Sequence, residues 1–542
     1  MDYKPIAFRD SSSVIVEKMQ VDLQRTFGHR VRKRRQHQHQ PSSPVSILQR
    51  IHRTPSDPYT TPRNLTMQAS SCCPKDEPLS VFNQCSPRGY ISVVLCFPCD
   101  DSRREDAASH IRQSLIRLAN KRPLFSGRLY TTSDGIVMLR RSRDYSIPFE
   151  VISNDDGTVA DYEQLKHAGF PPAAFVHPRY GIPGLVGADC SPIPVSKVDV
   201  TFVRGGLLLS VFLQHAITDG GSLKVFLEAL GNQTRNISDR LPSEQRLRIR
   251  IPEGAVGHMI PPIPRFIQFM GLMAMCPEYA ILEDRSGPTQ PQMRATGLPI
   301  ADLDKIGKIF VFTTKKLDEL RKIVKTTNKS EQRPTAYMSL AALAFAHITK
   351  ARIRTEPALT GIEAGNSAML WNSVNWRPRA FPGATHNYFG NAVLPARTNV
   401  TRELANAACH DHSALARLVP LIKRSIDVID EEHVRRRMAM MSCAPDPRLV
   451  GVSYDPRSPE ILAFNTWRHF GADVEWNIPG VPVSKPDTIR RATGGWGLGT
   501  ALLLPAQQSS ARQELYVSLS VGAMEALCQD ERWMEWVDRV IG

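Results

Sequence analysis

Residues 207–221, LLLSVFLQHAITDGG, decide how the rest of the chain is read. Leu207–Leu213 is an almost unbroken apolar run of strand length, which predicts a buried β-strand. Gln214 and His215 follow, then Thr218-Asp219-Gly220-Gly221, a turn signal. Beyond the turn, Leu223, Phe226, Leu227 and Leu230 recur at helical spacing, and Asp219 is placed to cap that helix. His215 therefore falls where a rigid strand gives way to a turn, a position from which catalytic side chains are often displayed. An imidazole there is suited to take a proton from a hydroxyl near neutral pH. A histidine at a strand end is also a common structural residue, and Asp-Gly is ordinary turn chemistry, so the rest of the chain must decide.

Working outward, Val198–Val203 reads as a second strand joined to the first by a hairpin at Arg204-Gly205-Gly206. Upstream, Tyr90–Phe97 reads as a strand and Ala107–Leu118 as a helix with Ile111, Leu115 and Leu118 on one face. Residues 153–195 read as irregular, and 232–305, rich in Pro and Gly, as a crossover. In the second half, strands are expected at Ile309–Thr313 and Glu514–Leu519. Helices are expected at Ala336–Ala351, capped by Thr335, over 401–442, and at Ala523–Val540. Strands and helices alternate in both halves, which predicts an α/β or α+β class.

The 542 residues, 42% of them hydrophobic, suffice for more than one domain. The net charge of +15 is partly concentrated at the start, where residues 1–60 hold eleven Lys/Arg against five Asp/Glu. Residues 1–70 read as a disordered basic tail, too polar to offset the entropy of ordering. Its Arg30–Arg35 cluster has the character of an import signal or an RNA contact, but nothing else in the chain is a nucleic-acid motif. No apolar leader or membrane-length run is found, so a cytoplasmic enzyme is expected. The ten cysteines are scattered, and Cys96-Phe97-Pro98-Cys99 lacks a second pair that would suggest redox or metal chemistry.

His215-Ala216-Ile217-Thr218-Asp219-Gly220 resembles the HxxxDG motif of the BAHD acyltransferases, within the CoA-dependent superfamily that includes chloramphenicol acetyltransferase. Further stretches carry the resemblance in order. Leu79–Gln84, LSVFNQ, resembles the family's opening strand motif, with Asn83 in place of its usual Asp, and Arg122–Leu129 resembles P-x-L-x-G-R-L, with Phe125 in place of its first Leu. Val374–Arg379 followed by Asn387–Asn391 resembles V-[ND]-x-R-x-R then Y-F-G-N. Asn465-Thr466-Trp467 resembles T-S-W, and Asp473–Asn477 resembles D-F-G-W-G with Asp473 and Trp476 kept and both glycines replaced, by Glu475 and Asn477. Lys485–Arg490 resembles the family's G-K-P-x-x-V-R, with Ser484 in place of the Gly. The match runs from about residue 79 onward and is most similar to the fungal branch of trichothecene 3-O-acetyltransferases.

The resemblance implies two similar mixed-sheet domains, at 71–275 and 306–542 with a linker at 276–305, flanking a central channel. It implies His215 as general base, Asp219 locked to Arg377, and Gly220 in the turn. Asn465 or Thr466 would donate to an oxyanion. Trp467 would wall the acceptor channel, and Asp473 and Trp476 would be structural. Lys485 and Arg490 would neighbour CoA phosphates. The implied reaction moves an acyl group, by default acetyl, from acyl-CoA to a hydroxyl of a small secondary metabolite. No metal and no bound cofactor take part, and the enzyme is expected to act as a monomer. Two rival readings differ at identifiable residues. A carrier-protein condensation domain would carry His where Gln214 stands, and a catalytically lapsed binder would fit the two lost glycines.

Overall fold

The computed structural model describes residues 74–153, 160–185, 191–238, 264–283, 291–328, 333–356, 359–361, 365–382 and 388–542. The chain divides into Met1–Ser70, which lies outside the described residues together with the basic-tail expectation, and Ser71–Gly542.

Two large mixed sheets organise the described part. The first has five strands, in the order Thr488–Arg491, Tyr90–Pro98, Gly206–Gln214, Ser196–Val203, Phe149–Ser153. All its pairs are antiparallel except the last. Every residue of Gly206–Gln214 is buried. Leu207, Leu209, Val211 and Leu213 pack with Ile111, Leu115 and Leu118 of the helix Arg104–Lys121 and with Leu223, Phe226 and Leu230 of Gly220–Thr234. Leu208 and Phe212 face the other way, against Tyr162, Phe175 and Tyr180. Burial on both faces is why this strand reads as an unbroken apolar run rather than an alternation.

The second sheet has seven strands, in the order Val393–Thr401, Ser367–Asn375, Ile461–Thr466, Thr500–Leu503, Arg512–Ser520, Lys305–Thr313, Arg539–Ile541. One face, with Phe310, Leu370, Phe464 and Val517, is covered by the helices Thr314–Thr327, Ala336–Thr355 and His412–Asp427. The other face carries Ile309, Val311, Leu502 and Tyr516. Trp467 packs against this face and against the core of the first sheet, so it sits between the two. No helix among the described residues is long and apolar enough to cross a membrane.

Four expectations need correction. Leu79–Gln84 does not form a strand: Val81–Gln84 is a helical turn, with Phe82 packed 5.1 Å from Trp376. Residues 153–195 and 232–305 are not wholly irregular, since Tyr162–His167 and Arg265–Ala274 are helices. The last helix stops at Cys528; Asp530 caps a separate turn that buries Trp533 against Phe310 and Phe312. Arg539–Ile541 then closes the sheet edge beside Lys305–Thr313. Finally, the halves interleave. Ala472, Val474, Trp476, Ile478 and Ile489 belong to the core of the first sheet, and Thr488–Arg491 is its edge strand, although all lie in the second half of the chain.

Candidate active site

The turn after Gly206–Gln214 is held by the strand's last side chain. Gln214 donates from Nε2 to the Arg88 carbonyl (2.6 Å) and accepts at Oε1 from the Ala216 N–H (2.8 Å). The Thr218 hydroxyl donates back to the Gln214 carbonyl at 2.8 Å, and the His215 N–H donates to the Gly89 carbonyl at 2.8 Å. A buried polar residue at the end of an apolar strand is stable here because its donors and acceptors are paired.

His215 is half-buried, and its Nδ1 is buried without a hydrogen-bond partner among the described residues. Burial lowers its pKa from the ordinary 6.5, a shift that nearby main-chain groups of His215 and Thr218, the Asp219 carboxylate and Asn391 oppose without cancelling. The ring is thus held as neutral imidazole at neutral pH, the form that accepts a proton.

Asp219 does not bond the imidazole. Oδ1 accepts from Ser222 N–H (2.9 Å) and Arg377 (3.0 Å), and Oδ2 from Arg377 (2.8 Å) and Ala392 N–H (2.9 Å). Four bonds fill the acceptor capacity of a carboxylate. Burial alone would raise this carboxyl; the Arg377 guanidinium and the two main-chain donors outweigh it and hold the pKa below the ordinary 3.8. Arg377 is itself fixed, donating to the carbonyls of Tyr388 (3.1 Å) and Gly390 (2.7 Å). The ion pair spans 158 residues of sequence and ties the turn to the second half of the chain.

Glycine is required next to this pair for reasons of space. A Cβ on Gly220 would lie 1.9 Å from the ring of Phe470, and one on Gly221 would lie 3.1 Å from the Arg377 guanidinium. The Phe470 N–H donates to the Trp467 carbonyl at 2.9 Å. The helix start after the histidine turn therefore packs on Phe470, which is bonded to the main chain of Trp467. Asn465 Oδ1 accepts from the Thr466 N–H (2.7 Å), and the Thr466 hydroxyl accepts from the Arg468 N–H (3.3 Å).

The later expected residues lie elsewhere. Trp476 is buried 6.0 Å from Phe97. Asp473 accepts from Lys485 (3.1 Å) and from the Gln508 N–H (3.0 Å) in an exposed setting. Glu475, at a replaced glycine, pairs with Arg235 at 2.9 Å. Arg490 is only 3% exposed. It donates to the carbonyls of Phe170 (2.9 Å) and Gly169 (2.9 Å) and to Glu514 (2.6 Å) on the second sheet. Each of its guanidinium nitrogens is committed within the protein, which makes Arg490 a clamp between the sheets.

Asn83 and Asn391 were not among the expected site residues. Asn391 donates from Nδ2 to the His215 carbonyl (2.8 Å) and to Asn83 Oδ1 (3.1 Å), and its N–H donates to the same oxygen (2.8 Å). Both lie in motif stretches, and the available signal was a polar residue retained among apolar neighbours. Cys96 and Cys99 are free and buried, which raises both thiols, Cys99 to about 11. Among the described residues no group of three or more His, Cys, Asp or Glu could hold a metal ion. A cavity of about 460 Å³ beside Pro98, Cys99, Arg103 and Gly205 contains none of the residues around His215.

Comparison with known proteins gives this geometry its context. The profile described as the Transferase family matches residues 60–534. Trichothecene 3-O-acetyltransferase TRI101 of Fusarium sporotrichioides is 22% identical over 466 residues, 82% of this chain and 93% of that protein. A hydroxycinnamoyltransferase of Narcissus pseudonarcissus is 25% identical over 349 residues, 62% of this chain and 69% of that protein. Among solved structures, F. graminearum TRI101 complexed with coenzyme A and T-2 mycotoxin superposes with a TM-score of 0.67 at 18% identity. The match covers 86% of this chain and 100% of that one. Vinorine synthase gives 0.53 at 19% identity, over 87% of this chain and 95% of that one.

Proposed function

The chain belongs to this transferase family, the BAHD-type CoA-dependent O-acyltransferases of secondary metabolism, and on that premise we propose that His215 is the general base of an acetyl transfer. The observation that carries the reading is a half-buried imidazole held neutral at the end of a rigid strand, on a turn pinned by a saturated Asp219–Arg377 pair. With Nδ1 buried, Nε2 is the nitrogen that meets the acceptor. It takes the proton of an acceptor hydroxyl as the oxygen attacks the thioester carbonyl. The carbonyl π pair moves onto oxygen and forms a tetrahedral oxyanion. Collapse restores the carbonyl, breaks the C–S bond and expels CoA thiolate, which recovers the proton from the imidazolium.

Asn465 is the preferred oxyanion donor. Its Oδ1 is engaged by the Thr466 N–H, which leaves the amide N–H₂ to donate; the Thr466 hydroxyl is the second candidate. Trp467, between the two cores, walls the acceptor channel. Lys485, in an exposed pair with Asp473, remains the cation for CoA phosphates. Acetyl is favoured as the donor group because the fungal relative is an acetyltransferase, and the acceptor is a hydroxylated small molecule. The test is incubation of purified protein with acetyl-CoA and a panel of hydroxylated fungal metabolites, reading acetylated products by mass spectrometry. Products formed equally well by His215→Ala would overturn the base assignment.

A further inference from the structure

We propose that Asn83 and Asn391 form a positioning pair for His215: Asn391 holds the histidine's main chain, and Asn83 holds Asn391 through an uncharged acceptor. The inference rests on the reading of His215 as base and adds residues that act through it.

The geometry is directional. The carbonyl of His215 lies on the turn, outside the strand ladder, and its side-chain partner is Asn391 Nδ2 at 2.8 Å. That amide is oriented from behind, since Asn83 Oδ1 accepts from both its N–H (2.8 Å) and its Nδ2 (3.1 Å). One oxygen with two donors from one residue fixes which way the Asn391 amide faces. Asn83 is in turn immobilised by its neighbours. Phe82 packs on Trp376, and Gln84 donates to the Val137 carbonyl (2.9 Å) and accepts from the Val137 N–H (2.8 Å). Asn83 and Asn391 are both about 5% exposed, so water does not compete for these bonds. A base displaced by as little as about 1 Å loses up to about 10²-fold in rate, which is the scale of effect such a pair controls.

In this chain the acceptor is uncharged, where the motif it resembles usually has Asp. Charged and titratable groups on the elements packed at the turn include Asp219, Arg377, Arg88 and Tyr388, with Lys224 on the helix Gly220–Thr234 and His469 beside Phe470. Asp219 is paired with Arg377 but still favours imidazolium, the Arg88 guanidinium is turned to Thr131 and to the Gln84 and Gly135 carbonyls, and burial raises Tyr388 to about 12. A carboxylate at position 83 would accept the same two bonds but would set a net negative charge behind His215 and favour imidazolium.

Two variants test this on the full chain. Asn83→Asp preserves the acceptor. It buries a carboxylate that no cation neutralises, so the melting temperature should fall, while acyl-CoA affinity stays near the parent value and the His215 titration midpoint, followed by NMR of ring-labelled histidine, rises by about one unit. Asn391→Ala should lower kcat about 10- to 100-fold with acyl-CoA binding unchanged. An unmoved His215 titration in Asn83→Asp, or parental kcat in Asn391→Ala, would overturn the pair. The titration needs no turnover, so it separates failure of this inference from failure of the base assignment, which His215→Ala addresses.

Discussion

Two arginines clamp the molecule, and they do different work. Arg377 meets Asp219 under the histidine turn, with side chains 13% and 2% exposed. Arg490 meets Glu514 at another junction of the two sheets, with side chains 3% and 24% exposed. Both pairs join the early sheet to the late half of the chain. The first is wired into the site: its carboxylate also caps the helix Gly220–Thr234 and accepts from Ala392. The second is wired into the Gly169–Phe170 loop, and nothing in its bonding reaches His215. A buried ion pair is thus no signature of catalysis by itself; what the carboxylate is further bonded to makes the difference.

The largest effect sets the scale for both clamps. His215→Ala should lower turnover by about 10²–10⁴-fold, the usual range for a lost general base, with acyl-CoA binding retained. Calorimetric titration beside steady-state rates checks both halves of that statement. Next, Arg377→Ala leaves Asp219 buried without its counter-charge and should destabilise the fold by about 3–5 kcal/mol while also lowering kcat. The pair Asp219→Ala and Arg377→Ala should be non-additive by about 0.5–3 kcal/mol in denaturant unfolding. Additive losses would show that the contact carries no energy.

Arg490→Ala should cost about 1.5–3 kcal/mol of stability, less than Arg377→Ala because Glu514 retains access to water, with the KM for acyl-CoA unchanged. A KM raised tenfold with parental stability would return Arg490 to the CoA site and dissolve the contrast. The pH profile sharpens the same contrast from the side of His215. Its folded pKa is depressed, so the acid limb of kcat/KM should have its midpoint below 6.5. The matching stability contribution is complete above pH 6.5 and is lost as pH falls through the folded value, because the unfolded chain takes up a proton that the folded one resists. A kinetic midpoint at or above 6.5 contradicts the desolvated imidazole. The smallest effect is at Lys485, whose pair with Asp473 is exposed: Lys485→Ala should change stability by less than about 1 kcal/mol. Any larger consequence should be confined to the KM for acyl-CoA.

Much of the candidate site's geometry is legible in the sequence because it is local. Strand, histidine, turn and helix cap follow one another within fifteen residues, and each has its own signal in side-chain type and spacing. The long-range partners were visible only through ordered motifs, since no local rule connects Asp219 to Arg377. The clamp at Arg490 is not legible, because an arginine in a Lys-Pro loop looks solvated until Phe170, Gly169 and Glu514 are placed around it. Asn83 and Asn391 are not legible for the opposite reason: each is a letter of a motif, and their shared bond exists only after folding. The final helix was overextended because Ala523–Val540 keeps an apolar pattern through Asp530, whose capping bond to the Trp533 N–H ends one helix and starts the next turn. Strand Arg539–Ile541 was missed because three residues are too few to show a period.

The edge strand Thr488–Arg491 has a consequence for how the protein is made. The first sheet cannot complete its edge beside Tyr90–Pro98 until nearly four hundred further residues have been synthesised. At ordinary elongation rates that wait is roughly 20–80 s. During it, the apolar strand Tyr90–Pro98 offers one flank of unpaired backbone, together with the core positions that Trp476 and Ile478 later fill. The nascent chain therefore carries an open template for mispairing over most of its translation, so its yield in a cell should depend on chaperone supply and codon tempo more than its final stability would suggest.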